Sequence, residues 1–238
     1  MTTNTLIPTL DNTGEVPVLV VRPEGAPRGV IIVVQEIFGI TPGIAQKAQD
    51  WAKLGYLAIA PDIFWRQQPG VSFNPDIPEE FTQAAGFMMK HDFVRGQEDL
   101  RAVLAWARAQ KAGKVGLVGF CMGGMIAYQM AARTDIDAAV GYYGVGIAGL
   151  VDEAKNITGQ LMLHIPTLDG FVPPDQQAAM HAGLDGNAHV TLFDYEGLDH
   201  GFADTFGARR NEAGANLADE RTRAFLAEHL CGIKFKWG

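Results

Sequence analysis

The stretch Lys114-Val115-Gly116-Leu117-Val118-Gly119-Phe120-Cys121-Met122-Gly123-Gly124-Met125-Ile126-Ala127 decides the fold. Its first part, Lys114–Gly119, is apolar and reads as a strand. The part that follows, Met122–Ala132, reads as a helix of small and apolar residues. Between them, Gly119-Phe120-Cys121-Met122-Gly123 fits a G-x-nucleophile-x-G strand-to-helix turn with cysteine at its tip. A nucleophile there sits in strained backbone, so the residues two before and two after must be small. Gly119 and Gly123 meet that need, and Gly124 permits close helix–strand packing. The helix that follows points its free N–H groups and positive dipole end at the reacting centre. The Met122 N–H is the natural oxyanion donor there. A buried structural cysteine beside a tight turn is the plainer reading, since Cys is among the most buried residue types.

Outward from this turn, strand-like and helix-like segments alternate. Strands are expected at Val16–Arg22, Val30–Gln35, Tyr56–Ala60, Ala138–Tyr143, Leu161–His164 and Val190–Tyr195. Helices are expected at Pro42–Leu54, Glu79–His91, Phe93–Ala109, Asp175–Leu184 and Asn216–Leu230, and Pro61–Pro78 reads as a loop or lid. Val30–Gln35 is continuously apolar, as a strand covered on both faces must be. The alternation predicts an α/β fold with a mainly parallel central sheet and helices on both faces. There is no internal repeat or linker, so residues 1–238 are expected to form one domain.

A nucleophile of this kind needs an acid and a base, in that chain order after it. Of six histidines, His200 alone lies after a late strand in a Gly- and Asp-rich loop, Glu196-Gly197-Leu198-Asp199-His200-Gly201-Phe202. Asp169 follows the Leu161–His164 strand and could fix the imidazole tautomer and stabilise the imidazolium. An Asx-turn is the plainer explanation of Asp169-Gly170. Asp175 and Asp199 are reserve acids.

With these residues in place, the chain resembles the dienelactone hydrolase (carboxymethylenebutenolidase) family of α/β-hydrolases. The resemblance rests on Gln35-Glu36-Ile37-Phe38-Gly39, Ala60-Pro61-Asp62, Gly116–Gly124, Gly141-Tyr142-Tyr143-Gly144, Asp169-Gly170-Phe171-Val172-Pro173 and Asp199-His200-Gly201-Phe202. It implies a Cys121–His200–Asp169 triad, Glu36 beside the thiol, and an oxyanion hole from the backbone N–H groups of Ile37 and Met122. It further implies a thiol that rests neutral until substrate reorients the glutamate. A free thiol titrates near about 8.5 and a neighbouring carboxylate raises that value, so such a gate is physically sound. Phe38, Phe81, Tyr142, Phe202 and Asp204 are the expected substrate-binding positions.

Two of these positions depart from the family's pattern, which is similar in using two arginines to hold a substrate carboxylate. Phe81 and Asp204 stand there instead, and neither can replace a guanidinium fork. Arg209 and Arg210 could reach back if the loop is rebuilt, and Arg66 reads as a loop anchor. The helix residues Ala84–Met89 read mostly as core packing. The expectation is therefore a thiol hydrolase of neutral or aromatic esters or lactones. A non-catalytic ligand binder and a thiol acyltransferase are the alternatives.

Charge and composition narrow the rest. A net charge of −8 offers no basic footprint for nucleic acid or an anionic membrane. Two cysteines cannot form a disulfide framework, and Met1–Thr5 lacks the character of a signal peptide. No apolar run reaches the ~20 residues that span a bilayer. A cytoplasmic monomer is expected. Without metal-ligand spacing or a dinucleotide fingerprint, no metal and no cofactor are expected either.

Overall fold

The computed structural model describes residues 3–234, so Met1 and Thr2 of the N-terminal stretch weighed above lie outside the described residues. The chain divides into two units, Met1–Val115 and Gly116–Gly238.

The first unit carries β1 (Thr5–Pro8), β2 (Glu15–Val21), β3 (Val30–Val34), α1 (Pro42–Lys53), β4 (Leu57–Pro61), α2 (Pro78–Met89) and α3 (Phe93–Ala109). Its strands run in the order β1-β2-β4-β3. The β1–β2 and β2–β4 pairs are antiparallel, and β3–β4 is parallel. Every residue of β3 and β4 is buried, which is why both are uninterrupted apolar runs. Local signals start the helices. Thr41 Oγ1 accepts the Ile44 N–H ahead of α1, where Pro42 takes the first turn. The Asp92 carboxylate accepts from Val94 and Arg95 at the start of α3.

The loop after β4 is anchored rather than loose. Asp62 accepts N–H groups from Phe64 and Gly70, although burial raises its pKa. Arg66 grips Asp99 of α3 with two nitrogens at 2.9 and 2.8 Å, and Trp65 Nε1 donates to the same carboxylate. The Ala84–Met89 expectation is corrected here: Ala84 is buried, but Met89 is 87% exposed and the residues between are half-buried.

The second unit carries β5 (Val115–Phe120), α4 (Met122–Arg133), β6 (Ala138–Tyr142), a 3-10 segment (Ile147–Asn156), β7 (Gln160–Pro166), α5 (Pro174–Leu184), β8 (Val190–Tyr195) and α6 (Glu212–Cys231). The order β5-β6-β7-β8 is parallel throughout. Register aligns Phe120, Tyr142, His164 and Phe193 in one row. Side chains alternate along a strand, so this row occupies one face and its successors turn to the other.

The row packs towards α6. His164 is fully buried and hydrogen-bonds Tyr195 Oη through Nδ1 at 2.7 Å and Thr222 Oγ1 through Nε2 at 2.8 Å. Tyr142 Oη joins the same Thr222 oxygen at 2.6 Å and donates to Asp219. Burial pushes the His164 pKa down to about 3, so the imidazole is held neutral.

Candidate active site

The second unit gathers its chemistry at the carboxyl ends of its strands. At the end of β5, Cys121 has φ 55° and ψ −114°, a strained conformation for a side-chain-bearing residue. A Cβ on Gly119 would come within 1.9 Å of the Gly123 carbonyl oxygen, so only glycine fits before the turn. Gly124 permits a second close approach, since its Cβ would meet Tyr142 O at 2.6 Å and Gly144 Cα at 2.8 Å. From Met122 to Ala132 every residue except Met125 is buried, which explains why the helix is made of small and apolar residues.

The backbone of the turn is firmly tied. Cys121 N–H donates to Tyr142 O at 3.0 Å and so continues the β5–β6 ladder. Cys121 O accepts from Gly124 and Met125 and opens α4. Met122 is the first residue of the helix, and the first N–H groups of any helix have no acceptor within it. Such groups are able to donate to an anion placed at the turn. Cys121 and Cys231 form no disulfide.

Asp169 and His200 meet across two loops. His200 Nδ1 lies 2.8 Å from Asp169 Oδ2, and both side chains are buried. A carboxylate at Nδ1 places the proton there and leaves Nε2 as an acceptor. The Asx-turn considered for Asp169 is present as well, because Oδ1 accepts the Phe171 N–H at 2.8 Å. One oxygen thus builds the loop while the other orients the imidazole. Asp199, a reserve acid, instead fastens the loops: Oδ1 accepts the His200 N–H at 2.6 Å and the Gly170 N–H at 3.4 Å. Asp175 is exposed at the start of α5.

Aromatic rings hold the imidazole. Tyr143 and Phe171 lie 4.9 and 4.8 Å from the His200 ring, both tilted steeply to it. Tyr143 follows β6 with φ 39°, and its N–H donates to His164 O. This corrects the expectation for Tyr142, whose hydroxyl is committed to Thr222 and Asp219 in the buried row; its neighbour Tyr143 is the tyrosine that touches the His200 ring. Strand parity carried a signal for this switch, although the positive φ did not show in the sequence. Phe202 is buried between Tyr143 and Tyr195, where it supports the loop that carries His200.

Asp204 is also engaged differently from expectation. The sequence suggests a carboxylate that confronts the substrate. In the fold it accepts from Tyr143 Oη at 3.1 Å and pairs with Arg209 Nη2 at 2.6 Å. Arg210 reaches back too, donating to the Asp204 carbonyl oxygen and to Glu212.

The remaining expected residues belong to the first unit. Glu36 and Ile37 follow β3 and are buried. Phe38 is buried with its ring centroid 5.6 Å from that of Phe81, so two of the expected substrate-binding aromatics do meet. Gly39, at φ 82°, bridges to Ser72, and its Cβ would clash with Val71 O at 1.9 Å. Among the described residues, no group of three or more His, Cys, Asp or Glu side chains could hold a metal ion.

Comparison with known proteins matches residues 16–230 to the model of the dienelactone hydrolase family. The chain belongs to the dienelactone hydrolase family. It is 39% identical over 235 residues to an Azospirillum brasilense protein named as a candidate carboxymethylenebutenolidase, covering 96% of this chain and 99% of that one. It is 36% identical over 211 residues to the carboxymethylenebutenolidase of Pseudomonas putida, covering 88% and 89%. A Klebsiella pneumoniae crystal structure, described as a candidate dienelactone hydrolase, is similar with a TM-score of 0.79 and 30% identity, covering 94% of this chain and 100% of that one. The fold is therefore the α/β-hydrolase fold, and the chain is a hydrolase of dienelactone hydrolase type acting on small molecules. No helix among the described residues is long and apolar enough to cross a membrane.

Proposed function

We propose that this family member cleaves carboxylic esters or lactones with Cys121 as nucleophile, His200 as base and Asp169 as the acid that orients it. The observation that carries the reading is the buried 2.8 Å Asp169–His200 contact at the same strand ends as the strained Cys121 turn. His200 Nε2 takes the thiol proton as sulfur attacks the substrate carbonyl carbon. The carbonyl oxygen becomes an oxyanion, with the Met122 N–H as donor and the Ile37 N–H as the second donor that the family resemblance implies. Collapse breaks the bond to the leaving oxygen, which receives the proton from His200. Water then adds to the thioester with His200 again as base, releasing the acid and restoring the thiol. Glu36 is proposed as the carboxylate that keeps the thiol neutral between turnovers.

The relatives' name implies lactone substrates, and within that class we propose a preference for neutral or aromatic esters and lactones. Phe81 tilted against Phe38 supports an apolar lining, and the Asp204–Arg209 pair supports a site with little free cationic charge. The one-domain organisation belongs to the same proposal, supported by a family match that runs through both units. So does action as a cytoplasmic monomer, on the sequence grounds given above.

The test is steady-state turnover of 4-nitrophenyl esters by Cys121→Ala and His200→Ala. Each is expected to lower kcat by on the order of 10³-fold or more. Unchanged turnover in Cys121→Ala contradicts the nucleophile.

A further inference from the structure

The loop that carries the base is folded on an ion pair. Arg209 Nη2 lies 2.6 Å from Asp204 Oδ2, with 25% of the arginine side chain and 6% of the aspartate side chain exposed. The other carboxylate oxygen accepts from Tyr143 Oη, whose ring packs on His200. Gly201, the residue after the base, has φ 78°; a Cβ there would meet Arg209 Cζ and Nε at 2.9 Å and Asp204 Oδ2 at 3.0 Å. The guanidinium and carboxylate therefore cover the backbone next to His200, and the arginine still reaches solvent.

A guanidinium and a carboxylate in contact present only a dipole to a third charge. Remove either one and the charge balance beside the base shifts by a full unit, in surroundings that screen it less than water does. We propose that Asp204 is a specificity-determining residue: by neutralising Arg209 beside His200, it favours uncharged esters over those bearing a carboxylate. This rests on the reading of His200 as the catalytic base.

The experiment compares kcat/KM for 4-nitrophenyl hexanoate and the mono-4-nitrophenyl ester of adipic acid, which share a leaving group and differ in one carboxylate. Asp204→Asn is expected to raise the charged-to-neutral ratio about tenfold, chiefly through KM of the charged ester. That gain is expected to shrink between about 0.02 M and about 0.5 M ionic strength. Arg209→Gln is expected to lower the ratio, and the double variant to return it to within about twofold of the parent. A purely structural clip moves both substrates together, so an unchanged ratio in Asp204→Asn overturns the proposal. The two single variants shifting the ratio in the same direction overturns it equally. If Asp204→Asn does not fold, Arg209→Gln decides alone: a lowered ratio supports the proposal, and an unchanged one overturns it. His200→Ala is run beside them, because full turnover there contradicts the base assignment rather than the role of the ion pair.

Discussion

His200 Nδ1 and Asp169 Oδ2 are 2.8 Å apart, on loops that follow different strands and are fastened together by Asp199 and by the Gly197 N–H to Thr167 Oγ1 bond. Because Asp169 Oδ1 also accepts the Phe171 N–H, the carboxylate cannot rotate away without loosening its own loop. Asp169→Asn should keep much of that geometry while favouring the wrong imidazole tautomer. We expect kcat for ester hydrolysis to fall by on the order of 10³- to 10⁴-fold with little change in KM. Steady-state kinetics, with circular dichroism to confirm folding, checks this.

The Gly119–Gly123 approach yields a stability prediction. Gly119→Ala places a methyl carbon 1.9 Å from the Gly123 carbonyl oxygen, and backbone on both sides of a buried turn must shift to admit it. A cost of several kcal/mol is expected, at the upper end for single substitutions. Thermal denaturation should show a much lower Tm or no folded protein. Gly170→Ala, where a Cβ meets nothing within 4 Å, should be tolerated by comparison.

Much of this architecture is legible in the sequence because buried parallel strands are continuous apolar runs; β3 and β4 are covered completely and read without ambiguity. β1 is missed, since only Ile7 of its four residues is buried and it leaves no pattern. The 3-10 segment Ile147–Asn156 is missed too; only Ile147 and Ala154 of its ten residues are buried. The last helix starts at Glu212 rather than Asn216, and Asn211, which accepts the Gly214 N–H, was a readable cap. Asp169 and His200 could be picked out because each follows a strand. Strand parity pointed to Tyr143 without its positive φ, whereas the Asp204–Arg209 contact could not be read, because it depends on the positive φ at Gly201 that folds the loop back.

His164 should make the fold acid-sensitive. An imidazole titrates near 6.5 when unfolded, whereas here it stays neutral down to about 3. Between these values the unfolded chain binds a proton that the folded chain refuses. The stability linked to this site is therefore complete above about pH 6.5 and is lost as pH falls towards about 3, by up to about 1.4 kcal/mol per pH unit. Urea unfolding at several pH values checks it. His164→Gln should be less stable near neutrality, through its broken bonds to Tyr195 and Thr222, but should show a shallower acid slope.

The Arg66–Asp99 contact pins the loop after β4 to α3 through a two-pronged geometry. Asp99→Ala also strands the Trp65 N–H, so a loss on the order of 2–3 kcal/mol is expected. That lies below the range for fully buried pairs because 26% of the Arg66 side chain is exposed. Arg66→Lys should recover little of the stability, since an ammonium cannot reproduce the fork. Differential scanning calorimetry of the three proteins distinguishes these outcomes.

The central claim is that Cys121 carries the acyl group, and the most direct measurement is rapid acid quenching of the enzyme during turnover of a slowly deacylated aryl ester, followed by peptide mass mapping. An acyl mass increment is expected on the peptide containing Cys121, accumulating with the burst of released phenol and absent from Cys121→Ala. A burst with the acyl group on any other residue, or full turnover by Cys121→Ala, would contradict it.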